Sequence, residues 1–142
     1  MLSEVNRLHE NLKFTYEAED PGGNISFLDT LLTHDGSRIS STWYMKPSNN
    51  GLPLNYHALA PIKYKRSVIR SFVHRIYNSC SNWSSFHCSM EKMKKILENN
   101  QYQSHFYEPI IHDTLEKIFV HKKKERNKRS GIITAVMKFD KV

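Results

Sequence analysis

Apolar and polar positions follow two rhythms along this chain, and the rhythm changes near the middle. Leu2, Val5, Leu8 and Leu12 recur at spacings of three and four, which predicts a short amphipathic helix over residues 2–11. From Leu12 the period becomes two. Leu12, Phe14, Tyr16 and Ala18 share one face of an expected strand, and Lys13, Thr15, Glu17 and Glu19 share the other. "DPGGN" forces a turn, and "ISFLDTLLTH" then reads as one inner strand, apolar on both faces. Asp35-Gly36 is a hairpin signal before "SRISSTWY". The expectation is a three-stranded antiparallel meander in which Asp29, within the inner strand, is a buried structural acid.

The strand signal stops after Pro47. From Pro61 the period is helical: Val68, Ile69, Phe72, Val73, Ile76, Tyr77 and Cys80 form one stripe, and Lys63, Lys65, Arg66, Arg70 and Arg75 are expected on the opposite face. Pro61 suits a first turn, where a missing N–H costs nothing. Phe86, Met90, Met93 and Leu97 predict a second helix over 83–98, with Asn99 and Asn100 as left-handed stops. Ile110, Ile111, Leu115, Ile118 and Phe119 outline a third, which Pro109 opens or weakens in its first turn. Helix, short turn, helix is the outline of a helix-turn-helix pair. The fold class read from these rhythms is α+β: a short helix and a β-meander, then a helical bundle.

Length fits one domain: 142 residues bury one core and not two. At 39% apolar and 11% aromatic the chain exceeds the composition of a disordered one, and no apolar run predicts a membrane span. The N-terminus has no apolar stretch typical of a secretory signal, so a nuclear or cytoplasmic location is expected. Two cysteines, Cys80 and Cys88, suit reduced thiols rather than a disulfide scaffold. The net charge of +7 conceals a division. Residues 1–60 hold four Lys/Arg against seven Asp/Glu, and residues 61–142 hold 17 against seven. All the excess positive charge is C-terminal, which makes nucleic acid the leading partner class.

Catalytic chemistry finds little support in the residue pattern. Eight histidines and two cysteines contain no paired spacing that completes a four-ligand zinc set. Neither a G-x-S-x-G elbow nor a phosphate loop with its Lys is present, and no Asp-Asp pair exists to hold two divalent ions. Basic and aromatic material remains. Lys63, Lys65, Arg66, Arg70 and Arg75 can meet successive phosphates, while Tyr44, Tyr56 and Tyr64 either stack on bases or plug the core. The cluster Lys122, Lys123, Lys124, Arg126, Lys128 and Arg129 is a further basic patch, in an expected mobile tail over 122–142.

Four segments in order, "LHENLKFTYE", "ISFLDTLL", "YMKPSNNGLPLNYHALAP" and "KRSVIRSFVHRIYNSCS", resemble the C-terminal part of reverse transcriptases of Penelope-like retroelements, over about residues 2 to 120. The resemblance implies a partial palm at 1–46, a hinge at 47–61 and a thumb-like helix-turn-helix region at 62–121. Tyr44, Lys46 and Pro47 would then end the palm near the primer strand, and Lys65, Arg66 and Arg70 would face a template-primer duplex. Met45 stands where that family often has Arg. The implied function is a C-terminal fragment of an RNA-directed DNA polymerase that contributes template-primer binding without the catalytic aspartates. No cofactor is expected in this chain, whereas the complete polymerase would use Mg2+. The alternative is a free-standing helix-turn-helix DNA-binding protein, with residues 61–120 as the module and the meander as a dimerisation or accessory piece.

Overall fold

The computed structural model describes residues 2–49, 51 and 53–120. Its elements are α1 (Leu2–Val5), β1 (Asn24–Phe27), β2 (Thr30–Asp35), β3 (Arg38–Trp43), α2 (Ile62–Ser79) and α3 (Trp83–Asn99). A further helix, α4, occupies 104–120, where the described residues end. The class is α+β, as the two rhythms predict, but the first half is assembled differently.

Three antiparallel strands form in the order β1-β2-β3, and residues 12–19 supply none of them. Alternation makes a strand only where a neighbour accepts its hydrogen bonds. Here the side-chain amide of Asn6 takes that role: the Phe14 N–H donates to Asn6 Oδ1 at 2.6 Å, and Asn6 Nδ2 donates to the Phe14 carbonyl at 3.1 Å. The helix expected over 2–11 shrinks to the single turn of α1, because Leu8, 82% exposed, finds no core to pack against.

"ISFLDTLLTH" is two strands rather than one. Phe27 pairs with Thr30 across a two-residue turn whose first residue, Leu28, is left-handed at φ 54°. The segment is apolar on both faces because it folds back on itself. Asp29 therefore sits in an exposed turn and not in a buried strand. The other turns follow their chemistry. Asp20 Oδ1 accepts from the N–H groups of Gly22 at 2.8 Å and Asn24 at 2.9 Å, closing "DPGGN" as an Asx turn. Gly36, at φ 53°, sits in the turn between Asp35 and Arg38.

The helices build the core. Ile69, Val73 and Ile76 of α2 meet Phe86, Met90, Met93 and Leu97 of α3, with Tyr107, Ile111 and Ile118 of α4 and with Tyr102 and Trp43. Full burial of such side chains contributes about 1.5–3 kcal/mol each. Asn82 caps α3 through its side-chain oxygen, which accepts from the Ser85 N–H at 2.8 Å. β3 docks edge-on. The Ser81 N–H donates to the Ser41 carbonyl at 3.0 Å, and Ser41 N–H donates to Ser81 Oγ at 2.9 Å. On one face of that edge Trp43 meets Phe72 at 5.8 Å between ring centroids, and on the other Thr42 reaches Ser89 at 3.4 Å. Edge-on docking leaves Phe27 and Ile39 66% and 71% exposed.

The α3–α4 turn places the last helix. Its left-handed residue is Gln101 at φ 66°, not Asn99 or Asn100. Asn100, at φ −95°, is the cap, and its buried side chain donates to the carbonyls of Ile96 at 2.7 Å and Gly51 at 2.9 Å. α4 begins at 104, so Pro109 lies inside it rather than at its start; the lost bond to the His105 carbonyl falls at an exposed position. A polar clip holds α4 against α3. Lys94 lies 3.3 Å from Glu91 and 3.1 Å from Glu108, and the hydrogen bond to Glu108 raises its pKa. Tyr107 donates to Glu98 at 2.8 Å, and burial first, then that bond, pushes its hydroxyl up to about 12.

Candidate nucleic-acid interface

α2 carries Lys63, Lys65, Arg66, Arg70 and Arg75 and no acid. A helix with 3.6 residues per turn distributes these five cations around its axis, so they do not share one face. Lys63, Arg66 and Arg70 recur at i, i+3 and i+7 and form an exposed line, which His74 continues one turn on. Lys65 turns toward the core edge, half-buried, with Nζ 5.2 Å from the centroid of the Tyr56 ring. Arg75 leaves on the other flank, toward the β1–β2 turn, 3.6 Å from Asp29.

Arg66 and Arg70 wall a shallow groove of ≈ 340 Å³ between α2 and α4, whose far side is His105, Phe106, Pro109, Ile110 and Asp113. Asp113 tempers its charge. Lys117 Nζ donates to Asp113 Oδ2 at 2.7 Å, and Arg70 lies 3.9 Å from the same oxygen. The Lys117 hydrogen bond, then the charges of Lys117, Arg70 and His112, hold the Asp113 carboxyl below its ordinary range. Lys63 Nζ lies 5.1 Å from the Tyr64 ring centroid, so its ammonium and that 53%-exposed ring form one outward patch.

Tyr56 is a plug. Its ring packs edge-on against Tyr102 at 5.4 Å and Phe106 at 5.2 Å, and its N–H donates to the Asn100 carbonyl at 3.0 Å. Tyr44 and Lys46 join Arg75 in a separate cleft of ≈ 610 Å³ floored by Trp43 and Phe72. Of the residues predicted from sequence, Arg66 and Arg70 wall the α2–α4 groove, Tyr44, Lys46 and Arg75 line this cleft, and Lys63 and Lys65 line neither. The basic cluster Lys122, Lys123, Lys124, Arg126, Lys128 and Arg129 lies outside the described residues. Sequence reasoning missed Asp113 and His105, whose approach to α2 is long-range; the Asp113 and Lys117 spacing of four was the one local signal. Among the described residues no group of three His, Cys, Asp or Glu could hold a metal ion. Also among the described residues, no helix is long and apolar enough to cross a membrane.

Three helices around one apolar core, with a tight capped turn between α3 and α4, define a helix-turn-helix region. The animal helix-turn-helix domain family matches residues 52–112, which span the loop before α2, α2, α3 and the first half of α4. No curated protein and no solved structure matches the chain.

Proposed function

We propose that this chain is a helix-turn-helix DNA-binding protein that grips duplex phosphates with α2. One observation carries the reading: α2 lies wholly inside the matched region, bears five cations with no acid, and presents Lys63, Arg66 and Arg70 in an exposed line. Such a line follows successive phosphates and releases their counterions. The test is the salt dependence of duplex affinity. Replacing Lys63, Arg66 and Arg70 together by Ala should reduce the slope of log K against log salt by up to about 3, while Lys65→Ala, on the Tyr56 ring, should alter it little. An unchanged slope in the triple variant would overturn the assignment.

A second reading is the thumb of a retroelement reverse transcriptase, with Lys63, Arg66 and Arg70 against a template-primer duplex and Mg2+ held by catalytic residues elsewhere in the polymerase. The observation that favours it is the exposed apolar surface at Leu12, Phe14, Phe27 and Ile39, which further polymerase chain would cover. Sequence preference separates the two. A DNA-binding regulator discriminates its site from random duplex by about 4 kcal/mol or more, whereas a thumb reads shape and favours hybrid over B-form duplex regardless of sequence.

A further inference from the structure

The cleft at the other flank of α2 has a composition the duplex-gripping line does not use. It is open, ≈ 610 Å³, within the range of small-ligand sites. Trp43 and Phe72 form an aromatic floor, in edge contact at 5.8 Å, and Tyr44 stands at the wall. Lys46 and Arg75 stand at the rim. Arg75 is 57% exposed and is held by Asp29 at 3.6 Å, a pair weak enough in water for a phosphate to displace. Above the cleft lies the β1–β2 turn, where Leu28 is left-handed at φ 54° and 76% exposed. A branched side chain held in that backbone region is strained, and such strain gathers at binding sites.

The half-buried rings of Phe72 and Tyr44, over the buried Trp43 and beside two exposed cations, match the two halves of a nucleotide, a flat base and a phosphate. Asp29 at the same mouth accepts hydrogen bonds, as an exocyclic amino group requires. A paired base cannot enter, because its faces are already stacked. We propose that this cleft holds an unpaired nucleotide adjoining the duplex that α2 grips, so that the chain prefers a duplex carrying an overhang or a bulged base to a blunt one. The proposal rests on the duplex-binding reading and adds the substrate class: a junction between paired and unpaired nucleic acid. It also explains why Tyr44, Lys46 and Arg75 sit apart from Lys63, Arg66 and Arg70: one group meets the strand that leaves the duplex, the other the duplex itself.

Three labelled DNA probes decide it: a blunt duplex, the same duplex with a three-nucleotide overhang, and one with a single bulged base, the unpaired position carrying 2-aminopurine. Base stacking on an aromatic ring tightens binding roughly tenfold, so the overhang or bulge should bind about tenfold tighter than the blunt duplex, with 2-aminopurine fluorescence quenched on binding. The double variant Lys46→Ala/Arg75→Ala changes two exposed side chains and should remove most of that advantage while leaving blunt-duplex affinity within about threefold. Tyr44→Ala should weaken the quench, and its circular dichroism spectrum checks that it folds. Equal affinity for all three probes, with blunt duplex still bound through Lys63, Arg66 and Arg70, would overturn the cleft and leave the duplex reading standing. Failure to bind any duplex would instead overturn the reading beneath it.

Discussion

Asn100→Ala tests whether one side chain sets the angle of the last helix. Asn100 is 2% exposed, and its Nδ2 donates to the Ile96 carbonyl at 2.7 Å and to the Gly51 carbonyl at 2.9 Å. The two losses are unequal. The Ile96 carbonyl keeps the Asn100 N–H at 3.1 Å, so only the net value of one hydrogen bond goes, about 1 kcal/mol. Among the described residues the Gly51 carbonyl has no second donor, so it loses its bond and is left half-buried, a cost of about 1–2 kcal/mol more. The expected destabilisation is therefore about 2–3 kcal/mol, a fall in Tm of about 10 °C or more for a domain of this size. Urea unfolding followed by far-UV circular dichroism measures it, with Asn99→Ala as the control, since the neighbouring exposed residue should change stability by less than about 0.5 kcal/mol. A loss in Asn100→Ala no larger than in Asn99→Ala would show that the staple does not hold the turn. The same variant should keep its salt slope, because the proposed phosphate-contacting line on α2 does not touch Asn100.

Leu28→Gly should stabilise the protein by up to about 1 kcal/mol, because left-handed backbone costs a branched residue about 1–2 kcal/mol and glycine returns part of this as chain entropy; a loss in the same urea titration would refute the strain argument. Tyr107, pushed up to about 12, ionises in the unfolded chain near 10 and in the folded chain later, so its contribution is complete below about pH 10 and is lost as pH rises from there through about 12. Tyr102, also raised by burial, acts in the same direction, so Tyr107→Phe should flatten the alkaline decline without abolishing it, as thermal melts between pH 9 and 12 would record. Asp113→Asn frees Arg70 and Lys117 from a shared carboxylate and should strengthen duplex binding, with a salt slope steeper by up to about 1; an unchanged slope would place both cations away from the phosphates.

The helical half was legible because its signals are local. Ile69, Val73 and Ile76 repeat with the helix, and Pro61 stands at the start of α2. The sheet half was not, because a strand is a pairing and not a rhythm. Leu12, Phe14 and Tyr16 alternate as well as any strand yet find no ladder, while the break at Leu28 rests on a left-handed leucine that no turn rule selects. The candidate site fell between these cases. Sequence supplied the cations on α2, but helical geometry placed Arg75 and Lys65 away from Lys63, Arg66 and Arg70. Asp113 became a partner of Arg70 only through the packing of α4.

That packing also bears on which helix meets nucleic acid. In many helix-turn-helix proteins the second helix of the pair enters the major groove. The second helix after the capped turn here is α4, whose described length carries Glu108, Asp113 and Glu116 against the single cation Lys117. Each carboxylate brought within about 4 Å of a phosphate costs on the order of 1 kcal/mol even in water, and more where water is displaced. An approach led by α4 would bring several such repulsions together, and two of its three acids, Glu108 and Asp113, are already engaged by Lys94, Lys117 and Arg70. α2 has no acid to repel a backbone and three cations on one line. On the duplex reading proposed above, the charge balance favours an approach led by α2, with α4 and its acids behind Arg70.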